Sequence, residues 1–337
     1  MAFLIHASVW NDKVNLHMET EEENKILDVL KFIFWPRYRL ERLVKQKDEM
    51  EQFESKRGFF KRMNAPLTIV GMVIIFTVFF IAIFAPWLTP YTDSQLRGIM
   101  GPYYQKPSLD HLLGTTVFGE DVLGRIIWGA RTSLSIGFTS LMIALIGGII
   151  VGLTAAYFGG AYDNIMMRIM DILLAFPELV LALVIIGVFP QTVTNYRLTA
   201  ILIAFGVLSI PIYARLLRGS VLSVKQNQYV EAAKVGGASD IRIMFRHIMV
   251  NCLSPIIVNF SFDVGGIILS LAGISFLGFG DPSMIEWGND LSVARSNILT
   301  AWWAVTFPGL AILFTVFGFM LLGDGLRDAL DPRLKNL

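Results

Sequence analysis

Residues 66–88 read PLTIVGMVIIFTVFFIAIFAPWL, a run without a single Asp, Glu, Lys or Arg. The ~30 Å hydrocarbon core of a bilayer needs about 20 mostly apolar helical residues, so this stretch is expected to cross a membrane as a helix. The same test picks out 132–158, 179–196, 198–214 and 296–323, which also carry no charge. A sixth run, 250–275, is interrupted only by Asp263. A carboxylate there is costly unless it faces the protein interior or a wet cavity. Two readings of Asp263 stand side by side: it lines a translocation path, or it is hydrogen-bonded to a neighbouring helix. The expected fold is all-α and polytopic, with six transmembrane helices.

Composition agrees and excludes other classes. The chain has 337 residues, 54% hydrophobic and only 16% charged. Residues 63–337 hold too few charges to solvate an ordinary globular surface. The net charge of +1 leaves no basic footprint for nucleic acid, and no nucleic-acid partner is expected. Cys252 is the one cysteine, and the histidines at 6, 17, 111 and 247 are far apart, so neither a disulfide framework nor a local metal-ligand spacing exists. Residues 1–20 lack the basic start and apolar core of a cleaved signal, so the first span is expected to insert the chain.

Six spans put both termini on one side. A cytoplasmic N-terminus assigns 22 of the 28 Lys and Arg to the cytoplasm, and the positive-inside rule favours that orientation, in a cell membrane. The expected division of the chain is then fourfold. Residues 1–62 form a charged cytoplasmic extension in which Ile26, Leu27, Leu30, Ile33 and Phe34 recur at helical spacing. Residues 63–131 hold the first span and an outer loop from 89 to 131. Residues 132–325 are the core, containing a cytoplasmic loop at 215–249, and 326–337 are a cytoplasmic tail.

That loop holds the most informative residues. A short helix carrying Glu231, Ala232 and Ala233 reaches a glycine turn at Gly236-Gly237, and a second helix follows. Ser239 or Asp240 can cap its start, and Ile241, Met244, Phe245 and Ile248 fall on one face. Small alanines let a partner approach the backbone, the glutamate can pair with a basic side chain, and glycine permits the reversal. An amphipathic loop lying on the membrane fits the same pattern. Elsewhere, Gly147, Gly148, Gly152, Gly265 and Gly266 are expected at close helix contacts. Arg168 and Asp171 are expected to pair on one helix face, and Trp302 and Trp303 to anchor at the membrane interface.

Glu231-Ala232-Ala233, three residues, Gly237, then nine residues before His247-Ile248-Met249 resembles the EAA loop of permeases from binding-protein-dependent ABC importers. Leu113-Gly114-Thr115, Asp121-Val122-Leu123, Gly129-Ala130-Arg131-Thr132-Ser133-Leu134, Leu174-Ala175-Phe176-Pro177, Ser275-Phe276-Leu277-Gly278 and Phe307-Pro308-Gly309 are similar to the C-type subunit of dipeptide, oligopeptide and nickel importers. The closing run Leu322-Gly323-Asp324-Gly325-Leu326-Arg327-Asp328 is similar too. Three departures stand out. Met249-Val250 replaces the family's Leu-Pro, Thr116, Glu120 and Gly124 replace its Asp, Arg and Ser, and Leu271 stands where a glutamate is common.

The resemblance implies the type I ABC importer permease fold. It implies a non-catalytic half-pore for di- or oligopeptides, with oligosaccharides or nickel chelates as alternatives. It implies a homologous second permease, two ABC ATPase subunits that bind ATP and Mg, and an extracytoplasmic solute-binding protein. Glu231, Ala232, Ala233 and Gly237 would be the ATPase-coupling residues. No Gly-Lys pair occurs in the chain, so no P-loop can cradle phosphates here, and no cofactor, metal or catalytic residue is expected on it. A stand-alone secondary transporter would explain the spans and Asp263, but not the EAA-type loop, and no inverted repeat with paired broken helices is visible.

Overall fold

The computed structural model describes residues 63–189 and 196–330. The expected extension at 1–62, the tail from 331 and the end of the expected 179–196 span lie outside them. The described residues are almost entirely helical: α1 Pro66–Leu88, α2 Val122–Phe158, α3 Gly160–Leu174, α4 Glu178–Val188, α5 Tyr196–Val224, α6 Gln228–Val235, α7 Leu253–Ile274, α8 Trp287–Ala294 and α9 Trp303–Leu330. Among the described residues five helical runs are long and apolar enough to cross a membrane, and the pair α3 and α4, bent by 85° at its break, passes the same test only when counted as one span. The largest helix–helix interface is that of α2 with α5. Phe138 of α2 sits at the centre, its ring 5.5 Å from Phe79 of α1, 5.9 Å from Phe260 of α7 and 6.2 Å from Phe319 of α9.

Small residues make the α2–α5 approach possible. A Cβ added at Gly148 would overlap Tyr213, and one at Gly152 would overlap the backbone of Ala214. Gly265 likewise sits close against Val316 and Phe319 of α9, whereas Gly266, one residue on, faces open space. With lipid outside, helices gain little from burying apolar surface, so contact of this kind holds them together.

Several boundaries differ from those expected. The helix expected from 132 begins at Val122, because Asp121 caps it by accepting from the Gly124 N–H at 2.7 Å, so the outer loop runs from 89 to 121. Arg125 and Arg131 do not end the helix. Arg125 is nearly buried, donating from Nε to Asp290 at 2.8 Å and from Nη1 to Glu120 and the Leu96 carbonyl, both at 2.7 Å. The span expected at 179–196 is instead the short α4, whose 11 residues reach only about 16 Å. Proline lacks an N–H and disfavours helix at the residue before it, and Pro177 stands at the break. At the loop expected over 215–249, α5 continues to Val224, so the connection starts at Lys225 rather than 215. The last span begins at Trp303, not 296.

Two expected side-chain roles change as well. Trp303 is 2% exposed, and its indole N–H donates to the Thr115 carbonyl at 3.1 Å, so it locks the outer loop instead of anchoring at a lipid interface. Trp302 is half exposed, as an interface anchor would be. Asp171 pairs with Arg215 of α5, not with Arg168. One turn below, Arg218 clamps Asp163 through two bonds of 2.6 and 2.7 Å, so α3 is tied to α5 by two ion pairs.

Beside the start of α2 lies α8, whose N-cap Glu286 accepts from the Gly288 and Asn289 N–H groups at 2.9 and 3.0 Å. Burial pushes the Glu286 carboxyl above the usual carboxylate range; the two backbone N–H donors oppose that shift and the nearby Asp290 charge adds to it. The folded chain then binds more protons than the unfolded chain between the ordinary pKa and the raised one, so stability falls as pH rises through that interval. The melting temperature of the purified protein is expected to fall as pH rises above the ordinary carboxylate range, and Glu286→Gln to flatten that slope in a thermal-shift series. A second test concerns the helix seam. Overpacking costs about 1–3 kcal/mol, so Gly152→Val should lower the melting temperature sharply, while Gly266→Ala should leave it unchanged or higher.

Candidate coupling site

At the end of the bundle opposite α8, α6 stands out from the helices. Val230 is its one buried residue and fastens it to the core, while Glu231 and Ala232 are exposed and Ala233 is half-buried against the core cluster. After α6 the chain reverses. The Gly236 N–H bonds to the Ala232 carbonyl at 2.9 Å, Gly237 to Lys234 at 3.0 Å and Ala238 to Ala233 at 3.1 Å, which satisfies the carbonyls a helix end leaves open. Gly237 has φ +76°, a left-handed conformation that side chains bearing a Cβ resist, and nothing lies within 4 Å of where a Cβ would stand. Its need for glycine is therefore conformational and not steric.

The four residues singled out in the sequence, Glu231, Ala232, Ala233 and Gly237, thus lie together on one helix and its turn. Among the described residues, no hydrogen bond or ion pair reaches the Glu231 carboxylate. Asp263 lies elsewhere, in the middle of α7. Its Oδ2 accepts from the Tyr213 hydroxyl of α5 at 2.6 Å, the neighbouring-helix bond that was one of its two readings.

The stretch after the turn departs from expectation. Ser239 occupies the cap position without a side-chain bond. The buried side chains are Ile243, Met244 and Ile248, while Ile241 is 69% and Phe245 47% exposed. Ile243–Ile248 is π-helical, and its wider turn puts residues five apart on one face, which the ordinary helical period does not anticipate.

Sequence reasoning missed what holds this element in place. Tyr157, in the last turn of α2, is 6% exposed. Its hydroxyl donates to Asp240 Oδ1 at 2.5 Å, and its ring lies under two ammonium groups, Lys225 at 5.5 Å and Lys234 at 5.6 Å. Lys225 also donates to the open carbonyls of Ala156 and Tyr157 at the end of α2, where a cation suits the helix dipole. An aromatic residue followed far downstream by two lysines and an aspartate is no motif, so only the fold could reveal the cluster.

An exposed helix with a small-residue face and an unpaired glutamate, rooted on a buried tyrosine, can bind a protein partner. It offers no nucleophile–base pair, and among the described residues no group of three or more His, Cys, Asp or Glu could hold a metal ion. Residues 148–336 match the family described as binding-protein-dependent transport system inner membrane component, and residues 62–107 match the N-terminal transmembrane domain of oligopeptide transport permease C. The dipeptide transport system permease protein DppC of Escherichia coli is 46% identical over 283 residues, covering 82% of this chain and 92% of that protein. The protein of the same name from Alkalihalophilus pseudofirmus is 43% identical, covering 83% and 90%, and the di/tripeptide permease of Pseudomonas aeruginosa is 41% identical, covering 79% and 88%. Among solved structures, an inward-facing methionine ABC transporter chain superposes with a TM-score of 0.51 at 16% identity, covering 61% of this chain and 96% of that one, a likeness of fold.

The strain argument at Gly237 is testable. Forcing a Cβ into the left-handed region costs about 1–2 kcal/mol, less for Asn, which visits it more readily. Gly237→Ala should therefore speed amide exchange across 236–243 by about tenfold, with Gly237→Asn falling between it and the parent.

Proposed function

This chain belongs to the binding-protein-dependent transport system inner membrane component family, and from that premise we propose that it forms half of the translocation pathway for di- or oligopeptides in an ATP-driven importer. The other half is a homologous permease. Two ABC ATPase subunits carry the ATP and Mg; one docks from the cytoplasm on α6 and its turn, the other docks on the second permease, and an extracytoplasmic binding protein delivers substrate to the opposite end. Both termini lie in the cytoplasm in this reading, which the Lys and Arg bias supports. The peptide substrate rests on the names of the relatives.

The observation that carries the reading is the exposed α6 with an unpaired Glu231 at its centre. Glu231 meets a cation of the ATPase, Ala232 and Ala233 let the two surfaces close, and Gly237 sets the angle at which the next segment leaves. This chain supplies position and movement. When the ATPases close on ATP, the two docking helices of the permease pair move together, and the helices behind them switch between inward- and outward-open arrangements as rigid bodies. Asp263 is placed half-buried in α7, where a cationic peptide group passing through the pore would sense it.

Reconstitution with the partner permease and ATPases in liposomes is the direct test. Uptake of labelled dipeptide should require ATP and the binding protein; uptake without ATP would mean a secondary transporter, and uptake of a nickel chelate or oligosaccharide in place of peptide would overturn the substrate. At the docking surface, charge reversal in Glu231→Lys should cut ATPase retention on affinity-purified permease by about tenfold or more, the scale of an interface hot spot.

A further inference from the structure

Tyr157 raises a question the docking residues do not answer: how displacement of an exposed helix becomes movement inside the membrane. Three separate segments converge on this one side chain. Lys225 comes from the end of α5, Lys234 from α6 itself, and Asp240 from the start of the segment leading into α7. Lys234 stands three residues beyond Glu231 on the same helix, so the helix that meets the partner is also the helix that grips the ring. The grip is bonded and not merely packed, since a hydroxyl donates to a carboxylate and two cations lie over one ring face or the other.

Tyr157 belongs to the helix best suited to carry the movement on. α2 has 37 residues and a length of about 55 Å, reaching from the docking end to the outer end. There Arg125 ties it to Asp290 of α8, Glu120 and the Leu96 carbonyl. Along the way α2 packs against α1, α5, α7 and α9. Close-packed helices shift as bodies, so a push at its last turn is felt along the whole of α2.

We propose that Tyr157 is the positioning residue through which displacement of α6 is passed to α2, so that ATPase closure and helix movement stay in step. The proposal rests on the docking role of Glu231 to Gly237. Tyr157 touches neither ATP nor substrate, and the link acts through Asp240, Lys225 and Lys234.

The test uses the whole reconstituted transporter and measures ATP hydrolysed per peptide imported. Tyr157→Phe removes only the hydroxyl and keeps the ring under the lysines; Tyr157→Leu removes both. With ATPase retention unchanged, Tyr157→Phe should raise the ATP-to-peptide ratio by about tenfold, the worth of one hydrogen bond to a charged group, and Tyr157→Leu by more. Asp240→Ala should match Tyr157→Phe, and the double variant should be no worse than either single one. If Tyr157→Leu does not accumulate, the Phe and Asp240 variants carry the decision. A parental ratio in Tyr157→Phe, or hydrolysis and import falling in parallel at constant ratio, overturns the proposal and leaves a structural role. Glu231→Lys measured alongside reads the docking assignment by itself: full ATPase retention there sinks the docking site, whereas loss of retention with a parental ratio in Tyr157→Phe overturns the joint alone.

Discussion

The seam between α2 and α5 is the contact on which the rest of the molecule depends. Gly148 and Gly152 bring the two backbones to a distance that no side chain with a Cβ would allow. That closeness has consequences along its length. Tyr213 packs its Cβ against Gly148 and is turned so that its hydroxyl reaches Asp263 of α7. Further along, the same pairing sets the last turn of α2 beside the end of α5, where Lys225 can reach the carbonyls of Ala156 and Tyr157. One steric fact thereby places the half-buried carboxylate of Asp263 and the root of α6. In a lipid solvent this is the expected economy, because helices separated by bulky side chains would gain nothing over lipid contact.

Charge is handled by pairing, and that decides how much was legible beforehand. Apolar runs announce membrane helices, and 66–88 was read to its correct ends. A search for charge-free windows fails where a charge has a partner. It ends at Arg131, nine residues after Val122, where the helix begins, because nothing local shows that Arg125 is neutralised by Asp290, 165 residues away. The bond between Arg218 and Asp163 is equally invisible, and the helical spacing that favours Asp171 with Arg168 is outweighed by Arg215 of another helix. Sequence spacing predicts contacts within an element, not between elements. The break at Pro177 is different, since its signal is local: a proline that disfavours the preceding helical turn stands just before the 179–196 run.

The candidate site was read in part for the same reason. Glycine in a left-handed turn, alanines on an exposed helix and an unpaired glutamate are local properties, so Glu231, Ala232, Ala233 and Gly237 came together as the spacing implied. The Tyr157 cluster joins residues 68 to 83 positions apart through side chains whose types are common anywhere. The buried face after the turn was misplaced because the backbone there widens from the α to the π period, moving Ile243 inward and Ile241 outward.

A docking element, the role proposed for α6, faces two opposed demands. It must expose enough surface to bind a partner, so it cannot be stabilised by burial, and it must not yield when pushed, or the push is lost as local bending. α6 meets the first demand with eight residues, of which Val230 alone is buried. Eight residues are too few for a helix to persist by its own hydrogen bonds. Its stiffness must therefore come from attachments at either end: Lys225 before it, Lys234 within its last turn, and Asp240 beyond the glycine turn all close on the ring and hydroxyl of one tyrosine. The flexible glycine sits inside that closed circuit and not outside it. Gly237 sets the shape of the loop, while the tyrosine keeps the shape from changing under load. A short exposed helix so enclosed moves as part of α2 and not as a loose loop.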